Sequence, residues 1–171
     1  KQLIQELIEL RASAAASKSA AAELKRLQES NEMFWQAFLL SAIPMGVATI
    51  EEGVFVNVNE ALAKIMGLSR EQIIGSTSIG IGLITAEQRA GLVSEFLRKG
   101  CVENLELPMR VKGGELRHGL FNSSRIVIGG RDYLLTTVTD ITRQKMTEEA
   151  LRLSEAKYSA IFRLSPIIIS L

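Results

Sequence analysis

Reactive side chains are scarce in this sequence. Its 171 residues include one histidine, His118, and one cysteine, Cys101. A single imidazole excludes any site needing two, and a single thiol excludes an internal disulfide and any cysteine-based zinc site. Of the 19 acidic residues only Asp132 and Asp140 are aspartates, so a carboxylate cage for a hard cation has little to draw on. A Ser/His/Asp nucleophile set needs Asp132 or Asp140 folded beside His118. Gly80-Ile-Gly82 has the look of a phosphate-cradling loop, but it lacks a third glycine, a preceding strand and a P-loop lysine. Hydrolytic and metal chemistry are therefore disfavoured, and binding is the remaining possibility. Lys plus Arg (20) nearly cancels Asp plus Glu, and a net charge of +1 offers no global field for nucleic acid or an anionic membrane.

Glycine placement shows what must position these residues. All 13 glycines fall between Gly46 and Gly130. Because glycine favours turns and weakens helices, the pattern predicts a turn-rich middle with a helix entering and a helix leaving. Within the middle, Val47–Ile50, a Glu51-Glu52-Gly53 turn and Val54–Val58 read as a hairpin. Asn59 is placed to cap a short helix over Ala61–Met66, with Gly67 at its end. Ser69-Arg-Glu-Gln72 and Thr85-Ala-Glu-Gln88 are capping boxes. The first opens a helix stopping at Gly75. The second opens a stronger helix through Lys99, with Leu92, Val93, Phe96 and Leu97 on one face and Gly100 as its stop. Ser76–Ile84 reads as a loop or single turn. Beyond it, Leu105, Leu107, Met109 and Val111 alternate with polar residues as a half-wet strand. Pro108 places that strand at an edge or a bulge. Gly113-Gly114 and Gly129-Gly130 turn it into strands over Leu116–Ile128 and Tyr133–Ile141. The order predicts an α+β fold, with one antiparallel sheet carrying helices on one face.

The entering segment carries a heptad. With Leu3 at d, the d positions run Leu3, Leu10, Ser17, Leu24, Asn31 and Phe38, and the a positions Leu7, Ala14, Ala21, Gln28, Trp35 and Ala42. This seam predicts a coiled coil pairing two copies of the chain, because about 60 Å of helix outruns one small domain. Its Ala/Ser-rich centre buries little surface, so the seam is strong at its ends and soft in the middle. The uncharged run Phe34–Ile50 is shorter than the roughly 20 residues of a membrane span and contains Pro44, so no direct membrane contact is expected.

Several stretches, taken in order, resemble a PAS domain, the sensor module of bacterial signalling proteins. Phe55-Val-Asn-Val-Asn59-Glu-Ala61 with Gly67-Leu-Ser-Arg-Glu-Gln-Ile-Ile-Gly75 resembles its second strand and first helices. Lys112-Gly-Gly-Glu-Leu-Arg-His118 resembles the turn between its third and fourth strands. Thr139-Asp140-Ile141-Thr142-Arg143 is similar to the Asp-Ile-Thr signature ending its last strand. The resemblance implies a PAS fold with a five-stranded sheet and long coiled-coil-type helices on both sides. The expected divisions are an N-terminal helix over 1–42, the PAS domain over 43–142, a signalling helix over 143–164, and over 165–171 the truncated opening of a second PAS domain. The last follows from a repeat: Ser30-Asn-Glu-Met-Phe34 through Phe38, Ser41 and Pro44 recurs as Ser154-Glu-Ala-Lys-Tyr158 through Phe162, Ser165 and Pro166.

The resemblance implies a non-enzymatic sensory and dimerisation module, cytoplasmic, relaying a signal through its helices to an output domain beyond Leu171. That output is a histidine kinase or a cyclic-dinucleotide enzyme. No catalytic residue and no metal are expected in the chain itself. Its Asp140-Ile141-Thr142 junction would couple sheet to exit helix. The carboxylate would accept backbone amides or pair with an arginine, and Thr142 would cap the helix. Met66, Ile73, Ile79, Ile81, Leu83, Leu92, Phe96, Leu105, Leu107, Met109 and Phe121 would line the space between helices and sheet, either as filled core or around a small apolar ligand. No cofactor is expected. The alternative is a haem or flavin redox or gas sensor, with His118 as haem ligand or Cys101 as flavin adduct site. Against it, related haem ligands sit on the pocket-facing helices and flavin cysteines precede the long helix. His118 is expected on a strand, and Cys101 follows that helix.

Overall fold

A computed structural model describes residues 2–164 of the chain, with the side chains of 11 and 17–160. The backbone divides into two compact units, 1–41 and 42–171. The first is a single helix, α1 (Gln2–Leu40). Aromatic side chains stack edge to face along it, Phe34 on Trp35 at 6.0 Å and Trp35 on Phe38 at 5.9 Å between ring centres. Leu24, Ala21 and their neighbours from 17 to 30 are exposed. The side chains of Leu3, Leu7, Leu10 and Ala14, named above for the seam, lie outside the described residues, as does the segment 165–171.

The second unit begins with an antiparallel hairpin of β1 (Met45–Thr49) and β2 (Phe55–Val58), bulged between Val47 and Ala48. Next comes α2 (Glu60–Met66), capped by Asn59 and ended by Gly67 in the left-handed conformation (φ 66°). That conformation costs glycine almost nothing, because it has no Cβ to clash. Both capping boxes form, opening α3 (Arg70–Ile73) and α4 (Ala86–Lys99). Helix α3 stops before the expected Gly75, because Ile74 is already extended (ψ 131°) and donates its amide back to Arg70.

Three long strands complete the unit: β3 (Cys101–Arg110), β4 (Leu116–Ile128) and β5 (Arg131–Asp140). The sheet order is β2-β1-β5-β4-β3, antiparallel throughout, so the first strand pairs with the last and closes the meander on the hairpin. Strand β3 is an edge, one of the two positions open to Pro108, and it starts earlier than the sequence pattern indicates. Gly100 (φ 81°) turns α4 directly into it. A bulge between Val102 and Leu105 then breaks the alternation that would have marked the early residues as strand. Asn104 takes a positive φ of 52° there, and its amide donates to Asn122 Oδ1 at 2.8 Å. The exit helix α5 spans Thr142–Leu164.

The core lies between the sheet and the small helices. Val58, Leu62, Ile73, Leu83, Leu92, Val102, Met109, Phe121 and Leu134 are its most enclosed members. Val93 is only half-buried, and Leu97 is 70% exposed, so α4 presents a narrower apolar face than its sequence implies.

Candidate functional site

Two places in the second unit carry the sequence-predicted residues, a cavity beneath the helices and the junction at the end of β5. Asn59 frames the first. It is fully buried, yet its Oδ1 accepts from the amides of Met45 (2.9 Å) and Leu62 (3.0 Å), and its Nδ2 donates to the Ile43 carbonyl (2.8 Å). The residue that caps α2 therefore also ties that helix to the entrance of β1. Arg70 fastens α3 to β2, its Nε donating to the Val58 carbonyl at 2.8 Å and Nη2 to Asn57 Oδ1 at 2.9 Å. Gln88 Nε2 donates to the Pro108 carbonyl at 2.9 Å, joining the start of α4 to β3.

Inside this frame is a cavity of about 40 Å³, bordered by β1, β2, α2, α4 and the facing residues of β4 and β5. At about 10–15 Å³ for one water, it has room for roughly three. Of the eleven residues expected to line it, Leu83, Leu92 and Phe121 do. Met66, Ile73, Phe96 and Met109 are buried but belong to packed core around it. Ile81, Leu105 and Leu107 pack against that core half-buried, and Ile79 is 43% exposed. The expectation fails at Ile79 because the segment from Ser76 to Ile84 turns Ser78, Leu83 and Ile84 inward and leaves Ile79 on the outside.

The sequence reading missed the polar lining. Ser78, Arg89 and Thr136 all border the cavity, beside Gly46, Gly53, Phe55, Leu62, Leu134 and Val138. Thr136 is satisfied across the sheet by Ser123, with 2.8 Å between their oxygens. Arg89 donates from Nη2 to the Ile50 carbonyl at 3.1 Å, and burial holds its guanidinium below the usual arginine range. Gly53 (φ 74°) makes room for that guanidinium, since a Cβ there would collide with it. Ser78 is 7% exposed, and its Oγ has no hydrogen-bond partner.

At the junction, Asp140 Oδ1 accepts from the Thr142 amide and Oδ2 from Arg117 Nη1, both at 2.9 Å. Arg117 also forks onto Glu115, with both contacts at 3.0 Å. Thr142 Oγ1 accepts from the His118 amide, and the Ile141 amide donates to the His118 carbonyl, each at 2.9 Å. Lys145, one turn into α5, pairs with Glu106 on β3 at 2.6 Å. Burial of the Asp140 carboxyl would raise its pKa, but the Thr142 hydroxyl and amide and the Arg117 guanidinium outweigh it and hold the group below its ordinary value. Thus Asp140, Ile141 and Thr142 do come together, and Arg117 is the arginine. His118 contributes its backbone. Its side chain is exposed and alternates with the buried Gly119 and Phe121, so it faces away from the cavity. Cys101 is half-buried at the start of β3 and does not border the cavity. Among the described residues no group of three metal-ligating side chains occurs, and no helix is long and apolar enough to cross a membrane.

Comparison with known proteins places this architecture. The chain is 26% identical over 153 residues to an uncharacterized protein, y4lL, of Sinorhizobium fredii, covering 84% of this chain and 18% of that much longer protein. Among solved structures it is similar to the PAS domain of an HTR-like protein from Haloarcula marismortui. The TM-score there is 0.55 at 18% identity, over 71% of this chain and 99% of that one. It is also similar to a Burkholderia thailandensis PAS domain, from a transcriptional regulator in the LuxR family, solved in complex with ethanol. That TM-score is 0.52 at 18% identity, over 63% and 96% of the two chains. The PAS domain profile matches residues 44–143, from the entrance of β1 to the first turn of α5. The chain belongs to the PAS domain family of sensory modules.

Proposed function

We propose that this PAS domain is a non-enzymatic relay. Occupancy of, or strain at, the cavity shifts β4 and β5, and the junction passes that shift to α5 and on to an output domain in a longer protein. The observation that carries this reading is the double clasp on α5: Asp140 and Thr142 hold its first residues to Arg117 and His118 of β4, and Lys145 holds its next turn to Glu106 of β3. A displacement of the sheet edge cannot then occur without moving the helix start or breaking the clasp. Through the heptad of α1 the chain forms a homodimer, and the soft centre of that seam keeps its two states close in energy. We place the module in the cytoplasm of a bacterial two-component or related pathway, with a histidine kinase or cyclic-dinucleotide enzyme as output. No nucleic acid or membrane surface takes part. The cofactor-dependent alternative has weaker support, because His118 faces away from the cavity, Cys101 lies outside it, and room for about three waters is far from a haem or flavin.

Hydrogen exchange tests the clasp. Asp140→Ala should speed exchange at the amides of Thr142 to Lys145 and also at His118 on β4, whose amide donates to Thr142, while the β1–β2 hairpin is unaffected. Faster exchange confined to α5, with His118 unchanged, would mean that the helix is merely appended to the sheet.

A further inference from the structure

The polar groups at the cavity are out of balance. Ser78 Oγ is buried without a partner, although a hydroxyl out of water normally finds one. Arg89, also at the lining, donates to one carbonyl, and among the described residues no carboxylate pairs with it. Its guanidinium is half-buried, so part of its hydration is given up without a countercharge, and it lies in the space left open at Gly53. The rest of the lining is apolar. A cation and an unused hydroxyl at a small apolar cavity are complementary to a small molecule with an anionic head and a short hydrocarbon tail.

We propose that the cavity is a binding site for a short-chain monocarboxylate of about the size of acetate or propionate. Its carboxylate is held by the Arg89 guanidinium and the Ser78 hydroxyl, and its tail lies against Leu92, Phe121 and Leu134. A carboxylate accepts from both groups at once, and a planar guanidinium matches it in two parallel bonds. A neutral alcohol of the same size satisfies Ser78 but leaves the arginine charge uncompensated. The site also explains the unpartnered hydroxyl, because binding groups are commonly retained at a cost in stability. This inference deepens the proposed sensory role and rests on it only for the consequence of binding. Binding itself is read at the cavity, separately from any response of α5.

Two-dimensional amide NMR of the whole 171-residue chain, titrated with sodium propionate, sodium chloride and 1-propanol at equal concentrations, tests it. Propionate should give saturable shifts at Ser78, Arg89 and Leu134, with chloride silent and propanol at least tenfold weaker. Arg89→Gln should weaken propionate tenfold or more. Ser78→Ala should weaken it several-fold while raising the melting temperature of the ligand-free chain, a reversal that a structural serine would not produce. Equal affinity for propanol and propionate in the unaltered chain would overturn the proposal in favour of a neutral ligand, and this needs no variant to fold. Silence of all three titrants would overturn it in favour of a water-filled cavity. Saturable binding without a shift in α5 would leave the site standing and remove the relay.

Discussion

Asp140 carries more of the junction than its place at the end of a strand implies, because one carboxylate serves two partners on two elements. Its pKa lies below the ordinary 3.8, so its contribution to stability is fully present above that value and is lost as pH falls through the lower folded-state value. Asp140→Asn keeps an oxygen for the Thr142 amide but gives up the charge that Arg117 meets. The pair is partly exposed and solvent-screened, so the variant should lose about 1 kcal/mol or less near pH 7, a few degrees in melting temperature. Thermal melts of both proteins from pH 7 to pH 3 should converge in acid. A gap that persists unchanged at pH 3 would show that the charge is irrelevant. Asp140 was visible in the sequence through the resemblance of Asp140-Ile141-Thr142 to the Asp-Ile-Thr signature, and its hydrogen bonds to Thr142 and Arg117 are the contacts such a carboxylate can make. Ser78 and Arg89 stayed hidden for a physical reason. Whether a serine in a turn or an arginine on an amphipathic helix points inward depends on where that turn and helix dock, and no periodicity of nine or fourteen residues fixes that.

Elements were legible where local chemistry decides them. Asn59, Ser69 and Thr85 each satisfy an orphan amide at a helix start, and Gly67 and Gly100 adopt the positive φ that ends one. Errors fell where pairing decides instead, as at the bulged start of β3, where Asn122 on the neighbouring strand captures the Asn104 amide. In the proposed α1 seam, the Ala/Ser centre of the heptad sets how firmly two copies pair. Carrying a two-state element from 1:99 to 99:1 takes a differential of about 5.5 kcal/mol, and in the proposed relay a soft seam would start the two states nearer to balance, where a smaller differential suffices. Replacing Ala14, Ser17 and Ala21 together by Leu should add buried apolar surface at one a–d–a run and tighten self-association at least tenfold by sedimentation equilibrium. In the longer protein the same triple change should lock the output in one state. Unchanged association would remove residues 14–21 from the seam.

At the scale of the whole molecule, the chain combines a unit with its own enclosed core and a helix whose described side chains from 17 to 30 all lie exposed. Most helical stability in proteins comes from burying one face, and the described side chains of α1 from 17 to 30 bury none. In the proposed homodimer a second copy would supply that face, and dimerisation and folding of the helix would then be a single concentration-dependent event. The PAS unit has its own core cluster, drawn from residues 48–138, and its sheet closes β1 against β5. A fragment covering 42–171 should therefore be a monomer by light scattering, with a cooperative melt independent of concentration, whereas the 171-residue chain should be a dimer whose helical signal falls on dilution. Should the shorter fragment remain a dimer with undiminished affinity, the pairing surface lies on the sheet or on α5, and the heptad of α1 has another use.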